Sequence, residues 1–126
     1  MTKTGHAIIG ILISAIIALA ATPAHAETDA KTFLATYDSA NLANQRVFRN
    51  TLSVIENGIS WANASLSAKR HILLYCPPRL MVLTGGQILD MVRREVASDI
   101  GMGNYPVGMV VVMALEKVFP CPTDAK

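Results

Sequence analysis

Cysteine, histidine and tryptophan are scarce in this chain of 126 residues, and each scarcity removes a class of chemistry. The two cysteines, Cys76 and Cys121, have no Cys-x-x-Cys spacing, which excludes a dithiol redox motif and a thiolate-rich zinc site. Of three histidines only His71 lies beyond residue 26, so no His-x-x-x-His pair is available there. No acidic loop has metal-binding spacing either, and neither a metal nor a cofactor is expected. None of Ser39, Ser53, Ser60, Ser65, Ser67 and Ser98 stands in a Gly-x-Ser-x-Gly turn. Gly101-x-Gly103 lacks the preceding strand and the rest of a phosphate cradle. A Ser-His-Asp assembly would have to use His71, whose pattern is that of a surface residue near a helix end. The expectation is a protein with no catalytic residues, not an enzyme.

Charge is sparse too. Lys3 apart, ten cations stand against nine anions, and no basic block breaks the balance. Such a chain offers no electrostatic footprint for nucleic acid or for an anionic membrane. Internal repeats, low-complexity tracts and interdomain linkers are absent from the sequence as well.

What is present begins with residues 1–26. Lys3 gives a weakly positive start, Ala7 to Ala21 is apolar or small but for Ser14, Pro23 breaks the run, and Ala24-His25-Ala26 supplies small residues. That order is the signature of a secretory signal peptide cut after Ala26. The rival reading, an uncleaved anchor, has an apolar run of about 15 residues where a spanning helix needs about 20. Cleavage leaves residues 27–126, one domain with a modest core, periplasmic or secreted, and no membrane segment. In an oxidising compartment Cys76 and Cys121 are most simply one disulfide. It closes a loop of about 45 residues, worth roughly 4 kcal/mol on chain-entropy grounds.

Helical spacing recurs through the domain. Phe33, Leu34 and Tyr37 fit a short first helix within Glu27 to Ala40, with Asn41 and Asn44 loosening the connection after it. Phe48, Leu52, Ile55, Ile59, Ala62 and Leu66 then form an apolar stripe at steps of four and three. Gly58 is a mild defect that would admit a close helix approach, and Trp61 beside it reads as core. Asn63-Ala64-Ser65 fits a glycosylation acceptor by coincidence, on a helix face. Lys69 and Arg70 suit the carbonyl end of this helix. Pro77 and Pro78 place Cys76 on extended backbone. Thr84 and Gln87 have capping-box spacing, opening a helix through Ile88, Met91, Val92, Val96 and Ile100. Arg93 and Arg94 belong to its solvated face, with salt bridges to a partner as the alternative. Gly101-Met102-Gly103-Asn104-Tyr105 reads as a loop, and Pro106 as the first-turn residue of a last, buried helix from Val107 to Leu115. Its β-branched residues keep a strand open as an alternative. Phe119-Pro120-Cys121-Pro122 ends it. The fold class expected is all-α, a small bundle of about four helices with one disulfide.

Gly58-Ile59-Ser60-Trp61-Ala62-Asn63, Leu74-Tyr75-Cys76-Pro77-Pro78, Leu83-Thr84-x-x-Gln87 and Phe119-Pro120-Cys121-Pro122 resemble, in order and spacing, the immunity proteins of type VI secretion amidase effectors, the Tai and Rap immunity proteins. The resemblance covers roughly residues 45 to 122. It implies a periplasmic, disulfide-bearing helical protein, often a homodimer, that binds a peptidoglycan amidase effector and blocks its active site by steric occlusion. Inhibition in such proteins uses a protruding loop. Gly101, Met102, Gly103, Asn104 and Tyr105 are the candidate contact loop, a tyrosine-tipped turn able to enter a cleft, with a plain interhelical connection as the alternative. A second functional expectation, from another class, is a periplasmic stress protein or chaperone of the small helical disulfide-bridged type.

Overall fold

Asp29 starts the first helix. Its carboxylate accepts the Thr32 amide at 2.7 Å, and the Thr32 hydroxyl donates back to it at 3.0 Å. The computed structural model describes residues 27–122, and the signal-peptide reading of residues 1–26 lies outside them. Helix α1 spans Ala30–Ser39 and buries Phe33 and Tyr37. Asn41 does not loosen the connection but caps α2 (Leu42–Arg70), accepting the Asn44 amide at 2.9 Å. At 29 residues α2 is about 43 Å long, and Asn44 lies inside its first turn.

The core stripe on α2 is as spaced, but shorter than expected. Leu52 is fully buried, and Phe48, Ile55 and Ile59 pack against the core, whereas Ala62 is exposed. Two expectations on this helix are corrected. Trp61 is not core but 77% exposed, and a Cβ added at Gly58 meets nothing within 4 Å, so no helix approaches there. Both sit on a face that no described element covers.

Helix α3 (Gly85–Ser98) opens with the expected capping box: Thr84 accepts the Gln87 amide at 3.3 Å, and Gln87 accepts the Thr84 amide at 2.8 Å. Its first residue lies hard against α2, where a Cβ on Gly85 would stand 1.9 Å from the Arg49 carbonyl oxygen. Ile88, Leu89, Met91 and Val92 are buried, but the helix stops at Ser98 and Ile100 is exposed. Asp99 accepts the Gly101 amide and starts a 3-10 turn, Ile100–Asn104, where a loop was expected.

Helix α4 (Val107–Val118) buries Val107, Val110, Val111, Ala114 and Leu115. Val110, Val111 and Leu115 have no exposure, each contributing about 1.5–3 kcal/mol by leaving water. Burial on this scale overrides the strand preference of its valines. Pro106 is its N-cap rather than its first residue and supplies no capping side chain. The residues before α1 take over that role: Thr28 accepts the Val107 amide through its carbonyl at 3.0 Å, and the Glu27 carboxylate accepts the Gly108 amide at 2.9 Å. A return bond from the Ala30 amide to the Tyr105 carbonyl completes an isolated antiparallel bridge between Asp29 and Pro106.

α3 packs on both α2 and α4, and α1 touches all three. The described residues are therefore an all-α bundle of four helices with one disulfide and no strand. None of these helices is long and apolar enough to cross a membrane. Phe48 receives Phe33 and Tyr37 edge-on at 5.1 and 6.1 Å between centroids. Arg93, on the expected solvated face, is only partly exposed and is engaged within the chain. It bonds Asp38 of α1 and lies 5.6 Å over the Tyr37 ring, while Arg94 stays exposed. On the other side, Lys117 reaches the largely buried Glu95 at 3.0 Å and ties α4 to α3.

Candidate binding surface

The chain between α2 and α3 is irregular, yet it supplies Tyr75, the largest fully buried side chain. His71 ends α2 in the left-handed conformation, φ 55°, its amide donating to the Ser67 carbonyl. The strand-like backbone after it has no strand beside it. Instead the buried Asn63 side chain accepts the Leu74 amide at 2.7 Å and donates to the Tyr75 carbonyl at 2.9 Å. The Cys76 amide donates to the Phe119 carbonyl at 2.8 Å, and the disulfide to Cys121 fastens the same point, with 4.8 Å between Cα atoms. Asn63 is thereby consumed by folding, and the Asn63-Ala64-Ser65 sequon is a coincidence in structural terms.

Beneath this strap, the segment from Leu74 to Cys76 held by Asn63, lies a small polar cluster. Burial pushes the Tyr75 hydroxyl pKa up, the neighbouring Ser60 hydroxyl opposes this, and the Glu56 carboxylate adds to the rise. Burial likewise raises the Glu56 carboxyl above its ordinary 4.5. Among the described residues, no group of three His, Cys, Asp or Glu side chains is placed to hold a metal ion. His71 is exposed at the helix end, as its pattern suggested.

Held at Cys76 and again at the Thr84 cap, the intervening residues project a tight turn. The Met81 amide donates to the Pro78 carbonyl at 3.2 Å, and Leu80, third in the turn, has φ 65°. Glycine or asparagine ordinarily fills such a position. Leucine there costs about 1–2 kcal/mol. Its side chain makes no return by packing, since Leu80 is fully exposed at 101%, with Val82 at 85% beside it. Ile72, Leu73 and Leu74 add exposed apolar surface on the approach to Tyr75. An open groove of about 510 Å3 runs between this approach and α2, lined by Ser60, Ala64, Ala68, Leu73, Cys76 and Pro77.

The segment singled out from sequence is built differently. Gly101 to Asn104 are wound into the 3-10 turn, whose ends are tied by bonds from Met102 to Asp99 and from Tyr105 to Met102. Gly103 is buried, a Cβ there coming within 3.2 Å of Lys31. Tyr105 keeps 43% of its surface, and its carbonyl is engaged by Ala30. The structure thus seats Gly101–Tyr105 against α1, while the projecting turn is at the other end of α3, about 21 Å away along a 14-residue helix. Sequence reasoning passed over Leu80 because nothing in leucine signals a positive φ. The Pro77-Pro78 pair, followed by five residues before the Thr84 cap, was the available hint of a projecting turn. No family model, curated protein sequence or solved structure matches this chain.

Proposed function

We propose that this protein is a periplasmic immunity-type binder that neutralises a cell-wall amidase effector by occluding its active site. The turn Pro78 to Met81 is the element that enters the cleft. One observation carries the reading: Leu80 sits fully exposed in a backbone conformation that disfavours leucine, on a segment fixed by a disulfide, two prolines and the Asn63 clamp. An apolar tip held in a strained geometry serves no folding purpose, and such outliers point towards function. Rigid anchoring lowers the entropy lost on binding, which is how a short turn acquires useful affinity. The resemblance of the cysteine-proline elements to amidase immunity proteins supplies the partner class.

The test is inhibition of the peptidoglycan amidase encoded nearest to this gene. The purified protein is expected to form a complex with it and stop release of cleaved peptides from cell-wall sacculi. Leu80→Asn retains the left-handed conformation and removes the apolar tip, so it should fold normally and lose inhibition. Full inhibition by that variant, or none by the parent protein, overturns the reading.

The breadth of exposed apolar surface at Ile72, Leu73, Leu74 and Val82 favours a second reading, a periplasmic stress protein or chaperone. That function requires more apolar surface to open at low pH. A hydrophobic dye should then brighten sharply on acidification, and an aggregating client should stay in solution; an immunity-type binder does neither.

A further inference from the structure

The near balance of charge over the whole chain hides a local division. From Asn57 to Leu89 there is no aspartate or glutamate, while Lys69, Arg70 and Arg79 all stand exposed in that stretch. Several cations elsewhere have anions within the chain: Arg93 pairs with Asp38, Lys117 with Glu95, and Lys31 acts on Asp29. Arg79 makes no ion pair among the described residues. Glu56, the acid just before this stretch, has its carboxyl raised by burial alone, so no cation spends its charge there.

Arg79 and Leu80 are the two central residues of the turn that the Met81 amide closes on the Pro78 carbonyl. Their Cα atoms are neighbours about 3.8 Å apart, so the tip sets a guanidinium directly beside its exposed apolar side chain. The turn itself has no use for the cation. The first central position asks only for an ordinary negative φ, and proline is a common occupant. An unpaired guanidinium on a fixed tip presents a rigid fork of donors, and the complement of that fork is a carboxylate.

We propose that Arg79 sets the specificity of the tip: it pairs through both arms with a carboxylate in the partner's cleft, beside the pocket that takes Leu80, and Lys69 and Arg70 steer this acidic partner in. The inference rests on the reading of Leu80 as the inhibitory tip and adds what that tip selects. A charge pair buried in an interface governs how long the complex lasts, whereas charges outside it govern how fast it forms. Arg79, next to the side chain that enters the cleft, belongs to the first kind. Lys69 and Arg70, in the last turn of α2, belong to the second. A cleft without the carboxylate would strip water from Arg79 and return nothing, which rejects neutral and basic partners. The charges favour a protein partner, since three spaced cations fall short of the about four to eight clustered ones that hold an anionic membrane. The exposed stripe of Val47, Val54 and Trp61 on the open face of α2 is uncharged and offers no such selection.

For the test, the amidase encoded nearest to this gene is immobilised, and binding of the purified protein is timed at about 0.1 and about 1 M salt. The parent protein is expected to bind, with association slowing steeply as salt rises. Arg79→Gln should keep helix content and urea midpoint and dissociate about thirtyfold faster or more. Arg79→Lys should match the parent in association rate and recover only part of its lifetime, because an ammonium has no fork. Lys69→Gln with Arg70→Gln should slow association about threefold or more at the lower salt, leave dissociation unchanged, and match the parent at the higher. No binding by the parent protein overturns the occlusion reading and this inference with it. Binding that Leu80→Asn abolishes and Arg79→Gln leaves intact overturns the inference alone. So does an association rate indifferent to salt. Retention of the parent protein on phosphatidylglycerol vesicles, lost in Arg79→Gln, assigns the tip to a lipid surface and overturns it too.

Discussion

The side-chain amide of Asn63 bonds the backbone on both sides of the Leu74–Tyr75 peptide, donating to the Tyr75 carbonyl at 2.9 Å and accepting from Leu74 at 2.7 Å. One residue of α2 thus does for the strap what a neighbouring strand does in a sheet. The strap needs this because Tyr75 is fully buried, and its peptide groups go in with it.

Asn63→Ala should therefore destabilise the fold by about 2–4 kcal/mol, since two buried backbone groups lose their partners. Asn63→Asp keeps the acceptor for Leu74 but turns an oxygen towards the Tyr75 carbonyl, and should be worse still at neutral pH. Urea unfolding midpoints measure both. Values equal to the parent would show that water replaces the amide.

Gly85, the α3 residue packed against α2, and Gly58, on the open face of α2, should respond oppositely to alanine. A Cβ at Gly85 would overlap the Arg49 carbonyl oxygen at 1.9 Å, which forces α3 away from α2. Gly85→Ala should lose about 3 kcal/mol or more, at the severe end for overpacking. Gly58→Ala meets no obstacle and should gain up to about 1 kcal/mol of helix stability. Thermal melts of the two proteins at low concentration are the comparison.

Replacing Cys76 and Cys121 together by serine should remove roughly 4 kcal/mol, the value of constraining a loop of about 45 residues in the unfolded chain. The loss should be felt first at the strap. Hydrogen exchange at the Cys76 amide, now held by Phe119, should quicken more than exchange within α4.

Acid should act on the carboxylates in opposite senses. The hydrogen bond from Arg93 holds the Asp38 pKa below its ordinary 3.8, and the Thr32 amide does the same for Asp29. A depressed folded pKa gives stabilisation that is complete above the unfolded value and lost as pH falls through the folded one. Glu56 is raised above 4.5 by burial, so its contribution is present below that value and lost as pH rises through the folded one. Asp38→Asn should then cost stability near neutrality and nothing in strong acid. Glu56→Gln should gain near neutrality, the gain shrinking on acidification. Urea midpoints between about pH 7 and about pH 3 decide both signs.

Local chemistry was legible in the sequence, and geometry set by distant residues was not. The Thr84–Gln87 box, the cysteine pair and the proline-stiffened ends of the helices are short-range signals, and each has the form its residues dictate. The two stripes on α2 are equally apolar to a periodicity count. Which of them faces the core depends on where α3 and α4 lie, so Trp61 and Gly58 were assigned to the wrong side. Arg93 finds Asp38 across 55 residues, a pairing no local pattern announces. The contact turn was sought where glycines cluster, at Gly101 to Tyr105, because glycine is the usual source of a bent backbone. Here Gly103 permits close packing against Lys31 of α1, and the left-handed position outside a helix end belongs to a leucine.

Glu27 accepting from Gly108 joins residues 81 apart, the first described residue to the last helix. A chain synthesised from its amino end presents Glu27 long before Gly108 leaves the ribosome. Until it does, the valine-rich helix has neither its full length nor its opening hydrogen bonds, and the earlier helices have no floor to settle on. Folding of this domain is thereby postponed until its last helix has been made, so the earlier helices wait on a contact that is long-range in sequence.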